Sequence, residues 1–275
     1  MIFARLTQRW HALRNGRGNK AISQAISQTM SPLAQAHGVL AHVRFEDATF
    51  NGAYHEAVHG DAGLVLWQQD GEHGRFSLRL QSAAHEGHEG ELTLSLIADG
   101  AILHRLSWIW RDGAGCNVPL PIVPFLTRNA GLWRDAGAAF EAFERAFPNN
   151  SPSFFCFAAL QGAAQALGID RVVAVRATAH PAYEAAQDAA FQNAYDGFWR
   201  ILGGVEMDAH NYLITLPFYL KPLQDMPSKH RKRAAQRREH WRAIGDAART
   251  TLLRYMAPGD AVPAIATRVP ATAKA

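Results

Sequence analysis

From Phe76 onward, apolar and polar residues alternate in three successive runs. Phe76, Leu78 and Leu80 alternate with Ser77, Arg79 and Gln81. Leu92, Leu94 and Leu96 alternate with Glu91, Thr93 and Ser95, and Leu106, Trp108 and Trp110 with Ser107, Ile109 and Arg111. Gly-containing breaks separate the runs at Asp70-Gly71, Gly87-His88-Glu89-Gly90 and Asp99-Gly100. A side-chain period of two with turn residues between predicts an antiparallel meander with one buried face. Gly63–Gln68 and Val43–Phe45 are further predicted strands. Before the meander, Ile22, Ile26, Met30 and Leu33 recur at three- and four-residue steps, which predicts helices over residues 1–40 with a break at Pro32.

After Pro119, Pro121 and Pro124 the period becomes helical. Leu132, Ala136, Phe140, Phe143 and Phe147 form one stripe over 131–147. A second helix is predicted from Asn150/Ser151 to about Leu167, stopped by Gly168. Arg171–Ala177 reads as a buried strand, followed by a helix to about Trp199, a Gly203-Gly204 break and a strand at Tyr212–Leu216. A basic helix from Ser228 to about Met256 carries Trp241, Ile244, Ala248, Leu252 and Tyr255 on its apolar side. The pattern predicts one α+β domain over 1–256. It comprises an N-terminal helical segment (1–40), a meander (41–112) and a mixed α/β half (119–256), with a loose tail at 257–275.

With 48% hydrophobic residues and 10% aromatics, the chain can bury a sizeable core. Two cysteines, Cys116 and Cys156, make no CxxC pair, and no apolar run approaches the length of a membrane span. A reduced, soluble, cytoplasmic protein is expected. The net charge of +4 is local. Arg5, Arg9, Arg14, Arg17 and Lys20 occupy the first twenty residues. Lys229, Arg231, Lys232, Arg233, Arg237, Arg238 and Arg242 crowd 228–242 against Glu239 alone. Without these twelve cations and that one acid, 16 basic residues face 23 acidic ones. Such clustering predicts an anionic partner at discrete patches: phosphates of a cofactor or carrier, or an anionic membrane met peripherally at its inner face. Nucleic acid is disfavoured by the acidic remainder and by the lack of aromatics interleaved with the cations.

Among 13 histidines, His85-Glu86-Gly87-His88-Glu89 looks metal-like, but its histidines are three apart in a turn and no third ligand is placed. No metal is expected. There is no GxSxG, P-loop or GxGxxG motif. The chemistry is expected to centre on the stretch from His180 to Arg238, and 149–217 is the more informative segment. Free N–H groups at the Asn150/Ser151 helix start suit a phosphate. His180 follows a buried strand and precedes Pro181, a position fit for acid–base work. Tyr195, Asp196 and Trp199 then cluster before Gly203 and Gly204. For each of these, core packing or capping is the plain alternative.

A family resemblance is carried by Gly90–Leu96, Leu103–Ser107, Ala166–Ile169, His180, Tyr195-Asp196-Gly197-Phe198-Trp199, Gly203-Gly204, Leu216-Pro217, Ser228–Arg231 and Arg237-Arg238. The series resembles the VirK/YbjX family over about residues 25–255. That family is bacterial and linked with envelope and virulence phenotypes. The chain departs from its pattern within 113–153, where Gly113-Ala114-Gly115-Cys116 and Pro148-Asn149-Asn150-Ser151-Pro152 stand. The order of elements is also similar, more loosely, to that of GNAT acyltransferases. These enzymes hold the pyrophosphate of acyl-CoA at the helix start after their fourth strand. Of their RxxGxG/A loop only Arg128-Asn129-Ala130-Gly131 has a counterpart, ahead of a predicted helix. The similarity implies an acyltransferase with acyl-CoA or an acyl-carrier thioester as co-substrate and no covalently bound cofactor. In that reading Arg128, Gly131, Asn150 and Ser151 hold donor phosphates. His180 deprotonates an amine or hydroxyl acceptor, with Asp196 beside it, and Tyr195 protonates the leaving thiolate. Trp199, Gly203, Gly204, Lys229, Arg231, Arg237 and Arg238 meet the acceptor or an anionic carrier. The alternative is a non-catalytic envelope-associated factor that docks to anionic membrane or a protein partner through the basic patches.

Overall fold

A computed structural model describes residues 32–82, 91–132 and 136–258. The expected helical positions Ile22, Ile26 and Met30, the cations of 1–20, the His85–Glu89 turn and the tail from 259 onward lie outside them. Eight strands form one sheet in the order β1-β2-β3-β4-β5-β6-β8-β7. The strands are β1 (Leu64–Gly71), β2 (Gly74–Ser82), β3 (Leu92–Ala98), β4 (Ala101–Asp112), β5 (Ile122–Gly131), β6 (Arg171–Val175), β7 (Val205–Glu206) and β8 (Asn211–Thr215). The helices are α1 (Pro32–Thr49), α2 (Gly52–His59), α3 (Gly137–Ala146), α4 (Pro152–Ala166), α5 (Asp188–Gln192), α6 (Phe198–Ile201) and α7 (Ser228–Leu253), with a π-helical turn at Asn193–Gly197 between α5 and α6. This is an α+β architecture, mostly antiparallel.

The meander follows the alternation in the sequence. Leu78 pairs with Leu96 and Leu80 with Leu94, and Leu92 pairs with Trp108, so each strand turns its apolar set to one face; the other face, expected in solvent, is covered as well, since Ser77, Thr93, Ser95 and Ser107 are buried. Phe76, Phe143, Phe147 and Phe155 close over that face with edge-on ring contacts, for example Phe76–Phe147 at 5.0 Å. α4 is apolar on nearly all sides because it lies between the sheet and α7. Where α4 and α7 cross, a Cβ on Gly162 would stand 2.0 Å from the Gly245 carbonyl oxygen, so only glycine lets the two backbones meet.

Four further expectations change. Val43–Phe45 belongs to α1, where Val43 is buried and Phe45 rests on Trp110 at 5.1 Å; the β preference of Val43 and Phe45 is outvoted by the packing of the helix. β5 was hidden by Pro124 and by Pro119 and Pro121 just before it. Pro124 stands opposite Trp110 on β4, and β6 pairs with β5 only at Phe125 and Leu126, so Pro124 lies outside the parallel ladder that would need its N–H. The predicted helix 131–147 is accordingly shorter: Gly131 ends β5 opposite His104, and the helix begins at Gly137. Finally, the segment after β6 is not one helix. It runs as turns through 177–187 before α5, the π turn and α6.

β5 and β6 are the point where the sheet changes character. They are parallel, joined through the α3–α4 crossover, and paired over two residues before they part. The β4–β5 register also slips at Thr127, a bulge that turns the rest of β5. Beyond it, the β6-facing side of β5 is met by the π turn instead of by a strand.

Candidate functional site

The residues at this fork come from three places in the chain. His180 ends a short 3-10 turn after β6 with extended backbone angles, as a residue before proline must. It is 6% exposed. Its Nδ1 accepts the Ala182 N–H at 3.1 Å, so in the neutral ring Nε2 carries the proton and donates it to the Tyr195 oxygen at 2.9 Å. Tyr195 is aimed there by the π turn, an insertion that rotates a helical residue out of the i, i+4 pattern. The same phenolic oxygen also accepts the Asn129 backbone N–H at 3.4 Å.

Asn129 and His104 complete the arrangement, and neither was expected from sequence. The Asn129 amide donates to the Ala194 carbonyl at 2.6 Å, locking the π turn to β5, and its Oδ1 accepts from His104 Nε2 at 2.7 Å. Burial pushes the His104 imidazole down from 6.5 to about 4, with the Arg128 charge adding in the same direction and the Asn129 hydrogen bond opposing. His104 is therefore a neutral, fixed donor near neutral pH. A signal for it was present: His104 precedes Leu106, Trp108 and Trp110 on the buried face of β4, and a polar residue in that row needs a partner. Asn129 carried no such signal, because the bulge at Thr127 shifts the alternation.

Asp196 faces away from this pair. Its Oδ1 accepts the Ala177 N–H at 2.6 Å, and its Oδ2 lies 3.7 Å from Arg176 Nε and 3.8 Å from Arg200 Nη2. Glu206 bonds both arginines and the Tyr212 hydroxyl, and those contacts hold its carboxyl below the usual range, the Tyr212 hydrogen bond first. Asp196 thus ties the turn after β6 to the β7–β8 edge. Trp199 is fully buried with its Nε1–H on the Val175 carbonyl at 2.9 Å. Gly203 has φ +84°, and a Cβ there would meet the Tyr219 Cβ at 2.6 Å; one on Gly204 would meet the Trp199 carbonyl at 2.7 Å. Close packing accounts for both glycines. Arg128 and Gly131 lie in β5 and open no helix, which corrects the expectation of a helix start there.

Asn150 and Ser151 do open one. Ser151 occupies the N-cap of α4 without capping it, its hydroxyl bonding Ser153 instead at 2.7 Å. Both polar atoms of the Asn150 amide are buried with no partner among the described residues, as are Arg237 Nε and Trp241 Nε1. Arg237 reaches this turn through Nη1 to the Asn149 carbonyl at 3.3 Å, and Trp241 stacks on Phe154 in the first turn of α4 at 4.5 Å. Two sequence-separate candidates, the α4 start and Arg237, are therefore neighbours. Phe154 also meets Phe198 edge-on at 5.3 Å, and Phe198 touches Trp199, whose ring lies 6.2 Å from that of Tyr195, so a row of aromatic rings links the α4 start to Tyr195. Lys229, Arg231 and Arg238 are elsewhere. Arg231 bonds the Met226 and Gln224 carbonyls, Arg238 the Lys221 carbonyl, and Lys229 is exposed. No hydrogen bond, ion pair or ring contact recorded among the described residues joins them to His180 or Tyr195.

Among the described residues, no group of three or more His, Cys, Asp or Glu is placed to hold a metal ion, and no helix is long and apolar enough to cross a membrane. A cleft of about 360 Å³ lined by Gln165, Gly168, Ile169, Asp170, Leu216 and Arg249 lies at the opposite end of β6 from His180. Neither a curated protein nor a solved structure matches the chain, so the likeness to GNAT enzymes rests on the order of elements alone. Residues 150–244, about a third of the chain and the part that holds His180, Tyr195 and the first two thirds of the basic helix, match the family described as protein of unknown function DUF535, the family also known as VirK/YbjX.

Proposed function

We propose that this protein transfers an acyl group from a thioester on a phosphate-bearing carrier, acyl-CoA or an acyl carrier, to an amine or hydroxyl acceptor. The observation that carries the reading is the Tyr195 hydroxyl held at the fork of β5 and β6, accepting from His180 Nε2 and the Asn129 N–H. The α4 start, with Asn150, Ser151 and Arg237 beside it, offers the Ser153 N–H, an unpartnered amide and a cation for the carrier's phosphates, Pro152 having no N–H and the Phe154 N–H being held by the Ser151 carbonyl.

In this mechanism the acceptor attacks the thioester carbonyl, and the tetrahedral intermediate collapses by breaking the C–S bond. Tyr195 gives its proton to the departing sulfur. The phenolate that remains keeps both donors on its oxygen, and the proton shed by the acceptor restores the hydroxyl, so protons balance over the cycle. His180 is better suited to support Tyr195 than to act as a separate base, because Nδ1 is engaged by Ala182 and Nε2 by Tyr195. Asp196 serves to fix the turn that presents His180.

Thiol release from acyl-CoA in the presence of amine and hydroxyl acceptors tests this. Tyr195→Phe is expected to lower turnover on the order of 10²–10⁴-fold while donor binding is kept. Equal thiol release by the variant and the parent chain, or none by the parent above the solvent rate, sinks the proposal.

A further inference from the structure

The segment 201–233 carries exposed apolar side chains beside exposed cations. Ile201 is 60% exposed, Val205 61%, Tyr219 57% and Leu220 39%. The two stretches that carry them meet at Tyr219. The Tyr219 N–H bonds the Leu202 carbonyl at 2.9 Å, and the Tyr219 Cβ lies against Gly203, between Ile201 and Val205 in the chain. The loop that follows Tyr219 is fastened to α7 by Arg231 on the Met226 and Gln224 carbonyls and by Arg238 on the Lys221 carbonyl. The apolar patch and the basic helix are thereby held in one fixed relation.

Residues 228–233, the opening turn and a half of α7, are exposed all round; burial begins only at Ala234. They include Lys229, Arg231, Lys232 and Arg233 with no acid in the first turn. Cations at a helix N-terminus oppose the dipole and repel one another, so this helix start is locally unfavourable in water and relieved by an anion. Residues 219–242 carry eight lysines and arginines against Asp225 and Glu239. Glu206, next to Val205, is neutralised by Arg176 and Arg200.

We infer that this surface docks on an anionic lipid bilayer, with Lys229, Lys232 and Arg233 against the headgroups and Ile201, Val205, Tyr219 and Leu220 in the interfacial layer. Neither half of the patch binds a membrane firmly alone, and their combination is what stable peripheral attachment requires. Aliphatic residues argue against nucleic acid, which offers bases to stack on aromatics and phosphates for cations but no apolar phase for Ile201, Val205 and Leu220. This attachment is independent of the proton chemistry at Tyr195.

Co-sedimentation of the full chain with vesicles of phosphatidylcholine alone, and of phosphatidylcholine mixed with phosphatidylglycerol, tests the inference. Partition onto the anionic vesicles alone is expected. The triple variant Lys229→Gln/Lys232→Gln/Arg233→Gln should lower it on the order of a hundredfold. Ile201→Ser/Tyr219→Ser should lower it about tenfold, and both variants should keep the parent's thermal melt because the altered side chains face solvent. Equal partition onto neutral vesicles, or absence of binding to the anionic ones, overturns the inference. So does unchanged partition of the Ser variant, which would mark a purely ionic surface suited to nucleic acid or an acidic protein.

Discussion

The fork of β5 and β6 and the opening of α7 both concentrate polar side chains, yet they treat them in opposite ways. At the fork, His104, Asn129, His180 and Tyr195 are each buried to within a few per cent, and each is held by a hydrogen bond of known direction. At α7, Lys229, Lys232 and Arg233 stand in solvent, unopposed. A buried polar group costs free energy unless it is satisfied, so the fork can keep such groups only by fixing their geometry. An exposed charge costs little and fixes nothing, but it attracts anions at a distance. One region is organised for positioned chemistry and the other for adhesion.

The sharpest way to break this contrast is through pH. His104 is held near 4 in the fold against an ordinary 6.5. A base with a depressed folded pKa binds its proton more readily when unfolded. Its contribution to stability is present above about 6.5 and is lost as pH falls from there toward about 4. The loss should approach about 3 kcal/mol, the span of the shift at 1.36 kcal/mol per unit. Urea midpoints between neutral and mildly acid pH should show this slope in the parent chain and a flatter one in His104→Gln. Equal slopes would mean that His104 is not the buried neutral donor described.

The smallest effect belongs to the other region. Lys232→Ala/Arg233→Ala should change stability by no more than about 0.5 kcal/mol, in the stabilising direction, because repulsion and an unfavourable dipole interaction are both relieved. A loss of more than about 1 kcal/mol in the same urea series would show that these cations hold the fold together.

How much of this could be read from the chain follows from the same physics. The meander was legible because its large apolar side chains keep to one face at a period of two over Phe76–Leu80, Leu92–Leu96 and Leu106–Trp110; that the small polar residues between them are buried too was not. The basic helix, with Ile244, Ala248 and Leu252 buried, was legible for the matching reason at a period near four. β5 was not, because Pro124, the two prolines just before the strand and the Thr127 bulge erase its alternation, although long-range pairing with β4 holds it in place. At the site, His180 and Tyr195 could be picked out by residue type and position. That they bond each other, while Asp196 turns to Ala177 and the β7–β8 edge, depends on the π turn, which no local pattern announces. The meeting of Arg237 with the Asn149–Ser151 turn is likewise a tertiary fact: it joins residues 88 positions apart.

The central claim is that the fork and the adjoining α4 start accept an acyl thioester with its phosphates, and isothermal titration of acyl-CoA into the full chain tests it most directly. Saturable binding is predicted, weakened about tenfold by Arg237→Ala with Asn150→Ala, the loss of a charge-assisted hydrogen bond. No binding at millimolar acyl-CoA, or binding indifferent to those two substitutions, would contradict it.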